Sequence, residues 1–122
     1  MDGLSPAHYW GRFGIECITV TRHMTFLAGN TVKYVWRHQD KDDPFKDLGK
    51  ALVYLGWLCD LGSGGVFVSG EGRGVAQDLV LTHVVPRLSD MSAAYSAIPL
   101  IVFGHTVDAA RLIEVERDRY GV

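Results

Sequence analysis

The residues best suited to chemistry in this sequence lie in its first half. Asn30, Lys33 and Arg37 are spaced three and four apart, so on a helix they share one face. Asp47, Lys50 and Tyr54, at i, i+3 and i+7, share another. If the two segments pair as antiparallel helices, Lys33, Arg37 and Lys50, with Lys41 at the turn, form one cationic groove. Arginine presents a planar fork that matches phosphate oxygens, and lysine adds a mobile point charge. The plain alternative is a solvated helix face with an Arg37–Asp47 or Lys33–Asp47 ion pair, an interaction worth about 0–1 kcal/mol.

The elements that must position these side chains are readable from capping and periodicity. Thr25 stands before a helix over about 26–38, with Leu27, Ala28, Thr31, Val32 and Val35 at helical spacing. Asp43 is an N-cap and Pro44 a first helical residue, where a missing N–H costs nothing. Phe45, Leu48, Leu52, Leu55 and Cys59 then predict a buried stripe. The short polar link 39–43 makes the two helices an antiparallel hairpin. Residues 1–14 read as a loop pinned by Tyr9, Trp10 and Phe13, and 15–20 as a short strand or the first turn of a helix. Six glycines between 62 and 74 predict a flexible connector around Val66–Val68, which can form a small β-ribbon. A helix is expected over 75–88 and an apolar segment over 98–103. A last amphipathic helix is expected over 106–120, with Val107, Ala110 and Ile113 or Leu112 on its apolar face. The fold class is all-α in one domain, 1–122, built on the central hairpin; the alternative is α+β, with 66–68 and 100–103 as strands.

Composition narrows the function. A formal net charge of −2 over 122 residues argues against a general nucleic-acid binder, so any anion site is a local cluster. Cys17 and Cys59 form no CxxC or metal spacing and are expected to be reduced and buried. The five histidines show no H-x-x-x-H or H-E-x-x-H spacing, so no metal site is expected on them. GEGRGV at 70–75 is not a phosphate-binding loop, because G-x-G-x-x-G and G-x-x-x-x-G-K-[ST] are both absent; its amides could still cradle an anion beside Arg73. The N-terminus has no basic-then-apolar leader and no run reaches a membrane span, so the expected location is cytoplasmic, in a cell or an infected host. Trp10, Trp36 and Trp57 in so small a chain predict a homo-oligomer with tryptophan at the subunit interface.

The segments AHY (7–9), IEC (15–17), GNTVKYVWRH (29–38), Lys41 and DPFKDLGKALVYL (43–55) form an ordered signature over about residues 6–58. It resembles a family of small, mostly phage-encoded proteins, long described as a domain of unknown function, that includes a coliphage kinase of deoxynucleoside monophosphates. Residues 60–122 carry no such resemblance. The family pattern usually has lysine where this chain has Gly49, which removes one basic contact. The resemblance implies a nucleotide or other phosphorylated small molecule as partner, with Mg as a cofactor only alongside the nucleotide. It implies ligand contacts from His8, Glu16, Asn30, Lys33, Arg37, Lys41, Asp47, Lys50 and Tyr54, with Lys33 and Arg37 as catalytic cations; Tyr9 and Tyr34 belong to the signature and can equally be packing residues. For Glu16 three roles stay open: pairing with a cation, orienting a ribose hydroxyl, or holding a metal. Three functions stay open as well: nucleoside monophosphate kinase-like transfer without a P-loop, non-catalytic sequestering of a nucleotide or nucleotide signal, and docking on a host protein.

Overall fold

The computed structural model describes residues 11–40, 43–61 and 65–121, and among these it is all-α. Helix α1 (Cys17–Thr21) resolves the strand-or-helix ambiguity at 15–20 in favour of helix. Helix α2 (Phe26–Arg37) and helix α3 (Pro44–Leu61) make the hairpin, and α3 packs on its other flank against the helix Thr106–Tyr120. In chain order the rest comprises α4 (Gly70–Leu79), a π turn (Val80–Val84), 3-10 turns at Val85–Arg87 and Ala93–Ser96, α5 (Ala97–Val102) and α6 (Thr106–Tyr120).

The hairpin forms where capping and spacing place it. Asp43 Oδ1 accepts from Lys46 N–H at 3.0 Å, and Pro44 opens α3. Thr25 occupies the extended position before α2, but its hydroxyl donates to the Gly65 carbonyl and so ties the hairpin to the later chain without capping the helix. The inner faces are Ala28, Val32, Val35 and Trp36 on α2 and Leu48, Ala51, Leu55 and Leu58 on α3. The α3 stripe is therefore rotated from the expected one. Because α3 is covered by α2 on one side and α6 on the other, small Ala51 is buried while Phe45 and Cys59 are exposed. Phe13 fills the adjoining core, its ring edge-on to Trp36 and Tyr95 at 4.9 and 5.6 Å. Gly14, at φ +75°, makes the turn from Phe13 toward α1 in a backbone region that favours glycine.

The glycine-rich stretch is not a connector throughout. Its second half, Gly70–Gly74, is the first part of α4, because the Ser69 hydroxyl caps the helix by accepting from Gly72 N–H at 2.9 Å. A Cβ on Gly72 would stand 3.2 Å from His23, so glycine lets α4 close onto the turn after α1. Val66–Val68 makes one antiparallel bridge, Met24 to Phe67, and no sheet among the described residues. The helix expected to run on to residue 88 widens into the π turn after Leu79, and that turn ends at Val84, two residues short of Pro86, which has no N–H to continue a ladder. The apolar segment 98–103, of which 100–103 is a strand in the alternative reading, lies in α5 and its C-cap; Pro99 sits in the first turn, and Gly104 at φ +88° ends the helix. On α6 the buried residues are Ala109, Ile113 and Glu116, while Val107 is exposed. Of the tryptophans, Trp36 is buried, Trp57 is 53% exposed, and Trp10 lies outside the described residues. Among the described residues no helix is long and apolar enough to cross a membrane.

Candidate functional site

The antiparallel hairpin brings the two polar faces together around one side chain, Tyr34. Lys33 Nζ lies 4.8 Å from the centre of its ring, Lys50 Nζ 5.3 Å and the Arg37 guanidinium carbon 5.6 Å. Each distance is within reach of a cation–π attraction of about 0.5–1 kcal/mol at an exposed site. Tyr54 stacks on Tyr34 at 5.8 Å and 11°, and Phe26 and Trp57 stand edge-on to Tyr54 at 5.9 and 5.6 Å. Three like charges are thus held in one small region by an aromatic floor. Their mutual repulsion is eased by the ring quadrupole, by water and by Asp47.

Asp47 has a different place from the one expected. It is buried in the first turn of α3, where the helix dipole favours a carboxylate, and its Oδ2 accepts from Arg37 Nε at 3.3 Å. The ion pair weighed from the sequence is therefore present, and among the described residues it engages Arg37 through Nε. Asp47 orients Arg37 and has little surface left to touch a ligand.

The other expected residues divide. Asn30 donates from Nδ2 to the Phe26 carbonyl at 2.8 Å and lines a cleft of about 170 Å³ with Thr21, Met24, Thr25, Phe26, Gly29 and Lys33. Glu16 occupies the half-buried position before α1, next to Cys17. Burial raises the Cys17 thiol to about 12, against the opposing pull of Lys33 and a hydrogen bond with Thr21, so it is not a nucleophile near neutrality. His8 and Lys41 lie outside the described residues. Among the described residues a Cβ on Gly49 would have only Arg117 of α6 within 4 Å, so a side chain at this position would stand on the α6 flank of α3. Arg73 is exposed on α4, whose first turn is closed by its own Ser69 cap. Among the described residues no group of three or more His, Cys, Asp or Glu could hold a metal ion.

Sequence reasoning left Tyr34 between two roles and passed over Phe26 and Trp57. The signal for all three is spacing: 26, 30, 34 and 37 continue one face of α2, with 33 beside it, and 50, 54 and 57 one face of α3.

Next to Arg37, the chain turns inward. His38 is fully buried, its Nδ1–H donating to the Val35 carbonyl at 2.6 Å. Its Nε2 is 3.0 Å from Ser92 Oγ, and the Ser92 hydroxyl donates to Glu116 Oε2 at 2.9 Å. Arg119 reaches the other Glu116 oxygen at 3.6 Å. A cationic ring satisfies every contact in this chain; a neutral ring leaves one hydroxyl hydrogen for two acceptors, Nε2 and the carboxylate. Burial is the stronger influence and lowers the pKa of His38. Arg12 acts in the same direction, while the Val35 contact, Glu116 and Asp40 oppose it. Burial likewise raises the Tyr95 hydroxyl, whose ring packs on His38 at 4.5 Å.

The family model of DUF3310, a protein family of unknown function, matches residues 4–56. The matched span includes α1, α2 and most of α3, and with them Lys33, Tyr34, Arg37, Lys50 and Tyr54. No curated protein and no solved structure matches the chain.

Proposed function

We propose that this protein binds a nucleotide through its phosphates at the Tyr34 face and uses that face for nucleoside monophosphate kinase-like phosphoryl transfer. The observation that carries the binding is the convergence of Lys33, Arg37 and Lys50 on one ring in a chain whose net charge is −2. Phosphate demands clustered, charge-assisted donors. Transfer asks for positioning and for neutralisation of charge on the moving phosphoryl group, with little covalent chemistry from the protein. Lys33 and Lys50 supply mobile charge. Arg37, held at Nε by Asp47, supplies a fixed fork. A magnesium ion would arrive on the phosphates, since the carboxylate on this face is committed to Arg37.

One observation favours the second reading, sequestering without chemistry. Part of the charge of Arg37 is already met by Asp47, and the remaining positive charge is modest for a donor and an acceptor nucleotide together. The deciding experiment is incubation with labelled triphosphate and each nucleoside monophosphate, with and without magnesium. Diphosphate product that disappears in Lys33→Ala supports the enzyme. A tightly held nucleotide with no turnover in any pairing leaves sequestering.

A further inference from the structure

The Tyr34 face is polarised along its length. The two helices are antiparallel, so the start of α2 lies beside the end of α3. That end carries Phe26, Tyr54 and Trp57, and among the described residues the cations lie over Tyr34 and not over these three rings. The opposite end carries Arg37 and Asp47, with Lys33 and Lys50 between. From Phe26 to Arg37 the helix rises roughly 16 Å. Phe26 is 71% exposed at the first residue of α2, a position that capping and core packing do not require to be aromatic. The cleft beside it is lined by Gly29, Met24 and Lys33 and by Asn30, whose Nδ2 is engaged by the Phe26 carbonyl and whose Oδ1 can accept.

Resting on the nucleotide reading above, we propose that the strip fixes the ligand's direction: the base stacks on Phe26 beside Tyr54 and Trp57, the sugar lies over the cleft between Phe26 and Lys33, and the phosphates run toward Lys33, Lys50 and Arg37. Stacking is tolerant of base identity because every base has a π face. Phe26 is then a specificity residue for nucleotides over other phosphates, and Asn30 the contact to a sugar hydroxyl. The same chemistry, aromatic rings interleaved with cations, is used by proteins that bind single-stranded nucleic acid, and the net charge of −2 weighs against that use here.

The test is titration calorimetry of the whole protein with inorganic pyrophosphate, with the 5′-monophosphates and 5′-diphosphates of the common nucleosides, and with a short oligothymidylate. The best nucleoside diphosphate is expected to bind at least tenfold tighter than pyrophosphate. Phe26→Ala, at an exposed site, should erase that advantage and leave pyrophosphate binding unchanged, and Phe26→Trp should restore it. Lys50→Ala should weaken both. Pyrophosphate binding with no nucleotide advantage overturns the direction proposed here and leaves the phosphate site standing. If neither probe binds, both readings fall. Oligothymidylate binding tighter than every mononucleotide, and lost in Phe26→Ala, makes the strip a single-strand platform and overturns the proposal.

Discussion

Arg37 and His38 are adjacent in the chain and face opposite worlds. Arg37 ends half-exposed beside two lysines, with Asp47 as its acidic partner among the described residues. His38 ends fully buried, bonded at both ring nitrogens and linked through Ser92 to Glu116. Both are polar clusters at the same end of α2, yet their settings give them different work. On the outside, charges can stay in excess because water screens them, and an excess is what attracts an anion. On the inside the polar groups are met chiefly by one another, so the cluster fixes α2 to α6 through His38, Ser92 and Glu116.

Cysteine labelling tests the inside–outside contrast with the largest effect. Near pH 8 the Cys17 thiolate population should be about a thousandfold below that of an ordinary thiol, so Cys17 should label slowly in the native state. Exposed Cys59 should be modified first. Mass spectrometry of a timed labelling series checks the order, and rapid labelling of Cys17 would mean that the seat of α1 against Lys33 is wrong.

Next in size are the inner polar groups. Glu116→Ala should cost about 2–4 kcal/mol in urea unfolding, since it strips a buried partner from Ser92 and opens a cavity. Nucleotide affinity should stay within twofold. A variant that loses binding at unchanged stability would abolish the distinction between the two clusters.

Outer cations should behave in reverse. Lys50→Ala should weaken nucleotide binding by about 1.5–3 kcal/mol and leave stability within about 0.5 kcal/mol. Arg37→Ala sharpens the contrast, because it should lose binding and also about 1–2 kcal/mol of stability by stranding Asp47. The pair of variants, measured by calorimetry and by urea unfolding, separates charge offered to a ligand from charge spent on the fold.

The smallest effect is a pH slope. The His38 pKa is lower folded than unfolded, so its contribution is fully present above about 6.5 and is lost as pH falls below that value toward the folded pKa. The urea midpoint should decline from pH 7 to pH 5, and His38→Gln should flatten that decline. An unchanged slope in the variant would assign the acid sensitivity elsewhere.

The outer face was largely legible because its determinants are local. Asp43-Pro44 marks the start of α3, and the 30/33/37 and 50/54 spacings mark the faces, all within one hairpin. The inner cluster was not. His38 meets a serine 54 positions away and that serine meets a glutamate 24 further on, and no periodicity links them. Cys59 was misplaced for a similar reason: a single helix shows an apolar stripe, but which side is buried depends on two neighbours, and α6 is distant in sequence. Gly70–Gly74 was misread because glycine signals a break unless its neighbours are known, and here the Ser69 cap and the approach of His23 to Gly72 make a helix.

The hairpin also sets an order of assembly. Joining α2 to α3 closes a link of 38–43, whereas bringing α6 onto α3 closes 62–105, about seven times longer. On a logarithmic closure entropy that difference is roughly 2 kcal/mol, so the paired helices are expected to form ahead of the return of α6. The cation-bearing surface is then complete while the opposite flank of α3 is still bare. Substitutions at Val35 or Leu55, between the paired helices, should chiefly slow refolding, and those at Ile113 on α6 should chiefly hasten unfolding. A ligand seated on the outer face would accordingly meet its binding surface before the core beneath it is sealed, and could act as a template for the final step of folding as well as its beneficiary.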